Sequence, residues 1–375
     1  MPAARNHRLV RIHGIDVEYD WSWFIILLLI AITVGDYLQA TNASWGVLTV
    51  WAVAAITAAL FFACVVIHEL AHSFLAQAHG LPVHTIRLFI FGGVSELTKE
   101  PEKAGSEFLI AIVGPLASVV IGGICLWLSR LGAPGDPATA VLYWLGWINL
   151  ILAGFNMIPG FPLDGGRVLR SIFWGVSRDY VGATRWATQI GKVVAVLFIL
   201  YGLFQLFFER GEAVSGLWLA FIGWFLLRAA DGSWRQTEAK AALDRYAVGD
   251  LSSPFYTSVP PEVSIEDYFT QVSESQNFRP SMVVDDDDRL LGVITPAELR
   301  DSDRMRWGQL RVKDLMIPRP RLVTVSWQEG LMDALQKMAI NNVSQLPVLG
   351  EGDRLRGIIR RDRILQILQN NLAQG

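Results

Sequence analysis

The sequence predicts a polytopic α-helical membrane protein, with about six transmembrane helices and a membrane-associated β-hairpin, joined to a soluble α+β tail. Three observations carry that class. Residues of the hydrophobic set make up 52% of the 375 positions and charged residues only 18%. The apolar content is concentrated before about residue 230, in six runs near the ~20 residues that a helix needs to cross a bilayer. From Trp234 onward the chain is mixed and charged, as soluble domains are. The six runs, with soft edges, are 20–38, 46–78, 107–130, 139–158, 187–208 and 214–230. The formal net charge of −3 argues against a nucleic-acid partner.

The elements follow in order. The N-terminal arm carries Arg5, Arg8 and Arg11, and has no signal-peptide pattern. Lys and Arg then alternate between the two sides. Gly35 to Gly46 carries none, the second connection has Arg87, Lys99 and Lys103, and the third has Arg130 at its edge. The fourth carries Arg167, Arg170, Arg178 and Arg185, the fifth Arg210, and Arg228, Arg235, Lys240 and Arg245 come last. This regular bias places both termini and the tail in the cytoplasm. Trp21, Trp23, Trp144 and Trp147 are expected near span ends, as interfacial aromatics. Cys64 and Cys125 lie in apolar runs and are read as buried thiols.

The second run holds the most informative segment, HELAH at His68–His72. No charged residue occupies the 21 positions from Val47 to Ile67 that lead into it. A charge at the bilayer centre costs roughly 2.5–3.5 kcal/mol even on lenient scales, so ionisable residues there point to function. His68 and His72, four apart on a helix, share one face and can bind one Zn²⁺; Glu69 can serve as general base. A catalytic zinc site usually has three protein ligands and an open position. Asp164, in the broken stretch NMIPGFPLDGGR at Asn156–Arg167, is the candidate third ligand. Pro159 and Pro162 interrupt the helix there, and non-helical backbone at membrane depth must be buried or line a wet cavity. The competing reading is a cytoplasmic turn whose Asp164 caps a helix beginning near Gly166. His79 and His84, just past the metal helix, are read as interfacial, and Asn149 as packing or cavity-lining.

HELAH on a membrane helix, followed about ninety residues later by FNMIPGFPLDGGR on another, resembles the site-2 protease family of intramembrane zinc metalloproteases. Phe91-Gly92-Gly93 is similar to that family's glycine pair after the metal helix, and Gly114-Pro115 to its small-residue motif on the third span. The resemblance covers roughly residues 10–230. It implies one Zn²⁺ per chain held by His68, His72 and Asp164, with Glu69 as the base and Asn156 near the reacting centre. The partner it implies is a transmembrane protein or peptide, cleaved within the lipid bilayer.

Such a substrate must unwind before attack, and its freed backbone groups then need new partners. Thr85–Leu97, TIRLFIFGGVSEL, is β-branched and aromatic with a glycine pair suited to a turn. It is expected to form a membrane-dipping hairpin that binds substrate by strand addition through Phe91, Gly92 and Gly93. An amphipathic surface loop is the alternative.

Residues 247–375 contain an internal repeat. Gly249-Asp250-Leu251 answers Lys313-Asp314-Leu315, Pro254 answers Pro318, and Arg289–Ile294 answers Arg354–Ile359, at an offset of 64 to 65. Each unit reads as strand, helix, two strands, helix, and the pair resembles tandem CBS domains. The expected organisation is a transmembrane domain over 1–232, a linker over 233–246, and CBS domains over 247–306 and 307–375. CBS pairs commonly associate, so a homodimer is one expected partner. Thr295 and Glu298 match positions that hold an adenine nucleotide's ribose in that family, with Glu where Asp is usual. The second repeat has Arg360 and Arg363 instead, and Arg cannot accept a bond from a ribose hydroxyl. Asp285–Asp288 reads as a solvated turn. The alternative function is a CBS-regulated transporter or channel, against which the lack of other ionisable residues in mid-span weighs; a third is an inactive scaffold, disfavoured by the intact Glu69.

Overall fold

Small and polar side chains turn inward in the first half of the chain, while large apolar ones face outward. Thr57, Ser73, Ser118, Asn149 and Thr184 are fully buried, whereas Leu28, Trp127, Ile151, Leu200 and Phe207 are exposed. That inversion is what lipid as solvent produces, because helices in a bilayer associate through close packing and interhelical hydrogen bonds. A computed structural model of the chain describes residues 7–89, 92–97, 100–133, 135–209, 213–274 and 280–374. The chain divides into two units, Met1–Arg235 and Gln236–Gly375.

The first unit opens with β1 (His7–Ile12) and β2 (Ile15–Tyr19), then α1 (Trp23–Thr41), α2 (Val47–Ala78), β3 (Val83–Phe89) and β4 (Gly92–Leu97). It continues with α3 (Ala104–Ser129), α4 (Pro137–Asn156), α5 (Asp164–Ser177), α6 (Tyr180–Phe208) and α7 (Ala213–Leu243). Six of these helices, α1 to α4, α6 and α7, are long and apolar enough to cross a membrane. α2 has 32 residues, about 48 Å of helix, and so extends beyond a ~30 Å hydrocarbon layer. α5, at 14 residues, is too short to span. α7 runs unbroken to Leu243, so most of the segment expected as a linker is helical.

β3 and β4 form the expected hairpin, antiparallel, with Gly93 opposite Leu88. The N-terminal arm also forms strands, which its sequence did not suggest. β1 and β2 pair antiparallel, β2 runs parallel to β3, and the order is β1-β2-β3-β4. Ile15, Val17, Ile86 and Leu88 from this sheet pack with Val65 and Leu70 of α2. The sheet is thereby fastened to the segment that carries HELAH.

Two expectations are corrected here. Trp147 sits near the middle of α4 and not at an end, with Trp144 packed against Tyr37. Lys192 falls near the middle of α6, because that helix begins well before the apolar run; it pairs with Asp231 of α7 at 2.5 Å. Cys64 and Cys125 are free and buried, as expected. Asn149 is buried and donates to the Leu145 carbonyl of its own helix at 2.8 Å.

The second unit shows the internal repeat as structure. Its first half comprises α8 (Val248–Leu251), β5 (Ser258–Val259), α9 (Ile265–Glu274), β6 (Ser281–Val284), β7 (Leu290–Ile294) and α10 (Pro296–Asp301). The second half comprises α11 (Val312–Leu315), β8 (Ile317–Pro318), β9 (Val325–Ser326), α12 (Leu331–Ile340), β10 (Gln345–Leu349), β11 (Leu355–Arg360) and α13 (Arg361–Gln374). Both halves combine a parallel pair, β5/β6 or β9/β10, with an antiparallel one, β6/β7 or β10/β11. Each has its own buried core, around Met338 and Val348 in one and Tyr268 and Val283 in the other.

Candidate metal centre

α2 presents His68 and His72 on one face, both buried. α4 ends at Asn156, and the chain then turns through a Pro- and Gly-rich stretch containing a cis Phe161–Pro162 peptide bond. α5 begins at Asp164 itself, with Leu163 as its N-cap and no side-chain cap. The carboxylate therefore does not cap the helix, as the competing reading of the sequence held. It turns instead toward the imidazoles.

His68 Nε2, His72 Nε2 and Asp164 Oδ2 form a triangle with all three sides 3.2 Å. Partners outside it orient both rings. His72 Nδ1–H donates to the Ile110 carbonyl at 2.6 Å, and a carbonyl can only accept. His68 Nδ1 meets Ser118 Oγ at 2.9 Å and can donate there in the same way. In neutral rings of this tautomer both Nε2 atoms carry lone pairs, aimed with a carboxylate oxygen at one point. Three acceptors so close repel unless a proton or a metal cation lies among them. The spacing fits one: ligands 2.0–2.1 Å from a tetrahedral Zn²⁺ stand about 3.3–3.4 Å apart. Among the described residues, these three are the group of His, Cys, Asp and Glu able to hold a metal ion.

The orienting partners come from one stripe of α3. Ile110, Gly114 and Ser118 are spaced four apart and share a face. A Cβ on Gly114 would overlap His72 Nε2, so the small residue there makes room for the ligand. Gly114-Pro115 was legible as a motif, but the roles of Ile110 and Ser118 were not foreseen. Ser118's place one helical turn after Gly114 is the signal that could have revealed it, whereas Ile110 acts through its backbone carbonyl and leaves no side-chain signal.

Glu69 is half-buried beside the triangle. A Cβ on Gly93 would overlap its side chain, so β4 passes directly along the glutamate. Gly92 pairs with Phe89 in the hairpin, and Phe91 lies outside the described residues. Asn156, half-buried at the end of α4, makes no side-chain hydrogen bond among the described residues. His79 and His84 are exposed and do not join the triangle; His79 Nδ1 meets the Leu75 carbonyl at 2.8 Å.

Thr295 and Glu298, in the second unit, form a capping box at the start of α10. Thr295 donates from its backbone N–H at 3.1 Å and from its hydroxyl to the same Glu298 oxygen. Their sequence pattern thus has a local structural role, whatever else they bind. The same unit contains a cleft of 640 Å³ whose lining includes Tyr256, Thr257, Arg360 and Asp362.

Known proteins match the chain along its length. The profile of Peptidase family M50 matches residues 56–135 and 132–200, and that of the CBS domain residues 248–303 and 312–370. A Synechocystis sp. protein provisionally named a zinc metalloprotease is 33% identical over 98% of this chain and 97% of its own. A protein of Methanocaldococcus jannaschii named a zinc metalloprotease is 30% identical, covering 96% of this chain and 95% of its own. The solved structure of a site-2 protease from M. jannaschii is 34% identical with a TM-score of 0.44, over 61% of this chain and 95% of that one.

Proposed function

Given that the chain belongs to the site-2 protease family, peptidase family M50, and carries two CBS domains, we propose that it cleaves membrane-spanning proteins inside the bilayer. The observation that carries this reading is the 3.2 Å triangle of His68, His72 and Asp164. These residues would hold Zn²⁺, which polarises a carbonyl and brings the pKa of water to about 7 in enzymes of this kind. The remaining work belongs to the chain's own groups. Glu69 accepts a proton from the attacking water and returns it to the leaving amine. Asn156 hydrogen-bonds the substrate carbonyl oxygen as charge develops on it.

The sheet offers the unwound substrate a place to pair. β4 is an edge strand, and Gly93 touches Glu69, so a segment added to that edge would run past the base. Phe91, Gly92 and Gly93 would then select and hold the substrate strand. Positive charge in alternate loops supports cytoplasmic termini and a cytoplasmic CBS pair, which would regulate cleavage or join two copies. Thr295 and Glu298 are the proposed contacts for an adenine nucleotide's ribose. Titrating ATP into the full-length protein tests that site; absence of heat would remove it.

A CBS-regulated transporter remains the competing function, and the Lys192–Asp231 pair within α6 and α7 is the one observation in its favour. One comparison separates the two. Glu69→Gln should keep its zinc and lose cleavage of a model transmembrane substrate, while a transporter would show no cleavage in either form.

A further inference from the structure

Glu107 and Arg170 form an ion pair with almost no exposure, 0% for the glutamate and 6% for the arginine. Arg170 Nε donates to Glu107 Oε1 at 2.7 Å, and a second guanidinium N–H reaches the same oxygen. The guanidinium also lies between two rings, 4.8 Å from the centroid of Phe161 and 4.7 Å from that of Tyr180. The guanidinium is thus held by one carboxylate oxygen and two ring faces.

The pair's position matters more than its strength. Glu107 lies on α3 in the same stripe as Ile110, Gly114 and Ser118, the residues that orient and accommodate the two imidazoles. Arg170 lies on α5, the helix whose first residue is Asp164. Phe161 belongs to the turn that leads into Asp164. So α3 sets the two histidines, while the carboxylate comes from a short separate helix that must be docked onto α3 in the correct rotation and height. An apolar contact would hold α5 in place but would allow it to slide or turn. A planar guanidinium bonded to a carboxylate and stacked on rings defines direction as well as distance. As a source of stability alone such a pair is a poor choice, since apolar residues of similar volume often do as well or better.

We propose that the buried Glu107–Arg170 pair positions Asp164 against the two imidazoles by fixing α5 on α3. This rests on the metal-site reading above. Both residues are positioning groups that act through Asp164, and neither touches the metal or the substrate.

The test uses full-length protein in detergent. The zinc dissociation constant is measured by chelator competition, and the visible absorption of the cobalt-substituted protein reports ligand geometry. Thermal unfolding of the metal-free protein serves as the fold control. Two variants are compared: Arg170→Lys, which keeps the charge but loses the fork, and the double change Glu107→Leu with Arg170→Met, which keeps the volume but loses direction. Both are expected to unfold within a few degrees of the wild type, to bind zinc about 10- to 100-fold more weakly, and to show altered cobalt bands. Wild-type affinity and bands in either folded variant would overturn the proposal. So would failure of both variants to fold, which would make the pair a stability element. If the wild type itself binds neither metal, the metal-site reading is what fails.

Discussion

Gly93 lies against Glu69, so close that a Cβ at position 93 would overlap the glutamate side chain. The edge strand proposed to receive substrate and the residue proposed to move the proton are therefore in contact. Gly93→Val is expected to displace Glu69 and reduce cleavage about 100-fold or more, the usual worth of a positioned base, with zinc content unchanged. Metal analysis beside a cleavage assay checks this. Loss of the metal would show that β4 holds the centre together and does not serve the substrate.

Gly114 gives the opposite expectation on α3. A side chain there would occupy the place of His72 Nε2, so Gly114→Val should leave the protein with substoichiometric zinc and no activity. Metal content of the purified variant decides it, and a full complement of zinc would mean that His72 is not a ligand.

Ser118 meets His68 Nδ1 at 2.9 Å, and both are buried. Ser118→Ala removes that partner without adding volume. Zinc affinity should fall about 10- to 100-fold, as it does when other outer partners of metal-bound histidines are lost. Chelator competition measures this directly.

Metal binding should also appear as stability. A ligand present at 1,000 times its dissociation constant stabilises the folded state by about 4 kcal/mol. Stripping zinc should therefore lower the unfolding temperature of the wild type. Asp164→Ala should already unfold near the stripped value and respond little to chelator.

In the second unit, Thr295 caps α10 and its N–H bonds Glu298. Thr295→Ala is expected to cost about 0.5–2 kcal/mol through the lost cap. Thermal unfolding with and without ATP separates that cost from any effect on nucleotide binding.

The sequence by itself determined whatever repeats at short range. Apolar runs gave the six long helices, because crossing a bilayer imposes a length on a single continuous segment. The four-residue step from His68 to His72 placed two imidazoles on one face, because helix geometry is local. The hairpin over β3 and β4 was readable for the same reason, and the duplicated tail because its two halves repeat one pattern 64 to 65 residues apart. Spacing by itself left Asp164 as either a ligand or a helix cap, and tertiary structure turned it to the histidines, since its rotamer depends on elements 92 residues and more away. It likewise decided the parallel pairing of β2 with β3, which leaves no local trace because the partners are far apart in the chain. The α3 stripe from Glu107 to Ser118 belongs to this second class. Gly114 apart, its residues look ordinary one at a time, and their meaning arises only from what α2 and α5 bring against them.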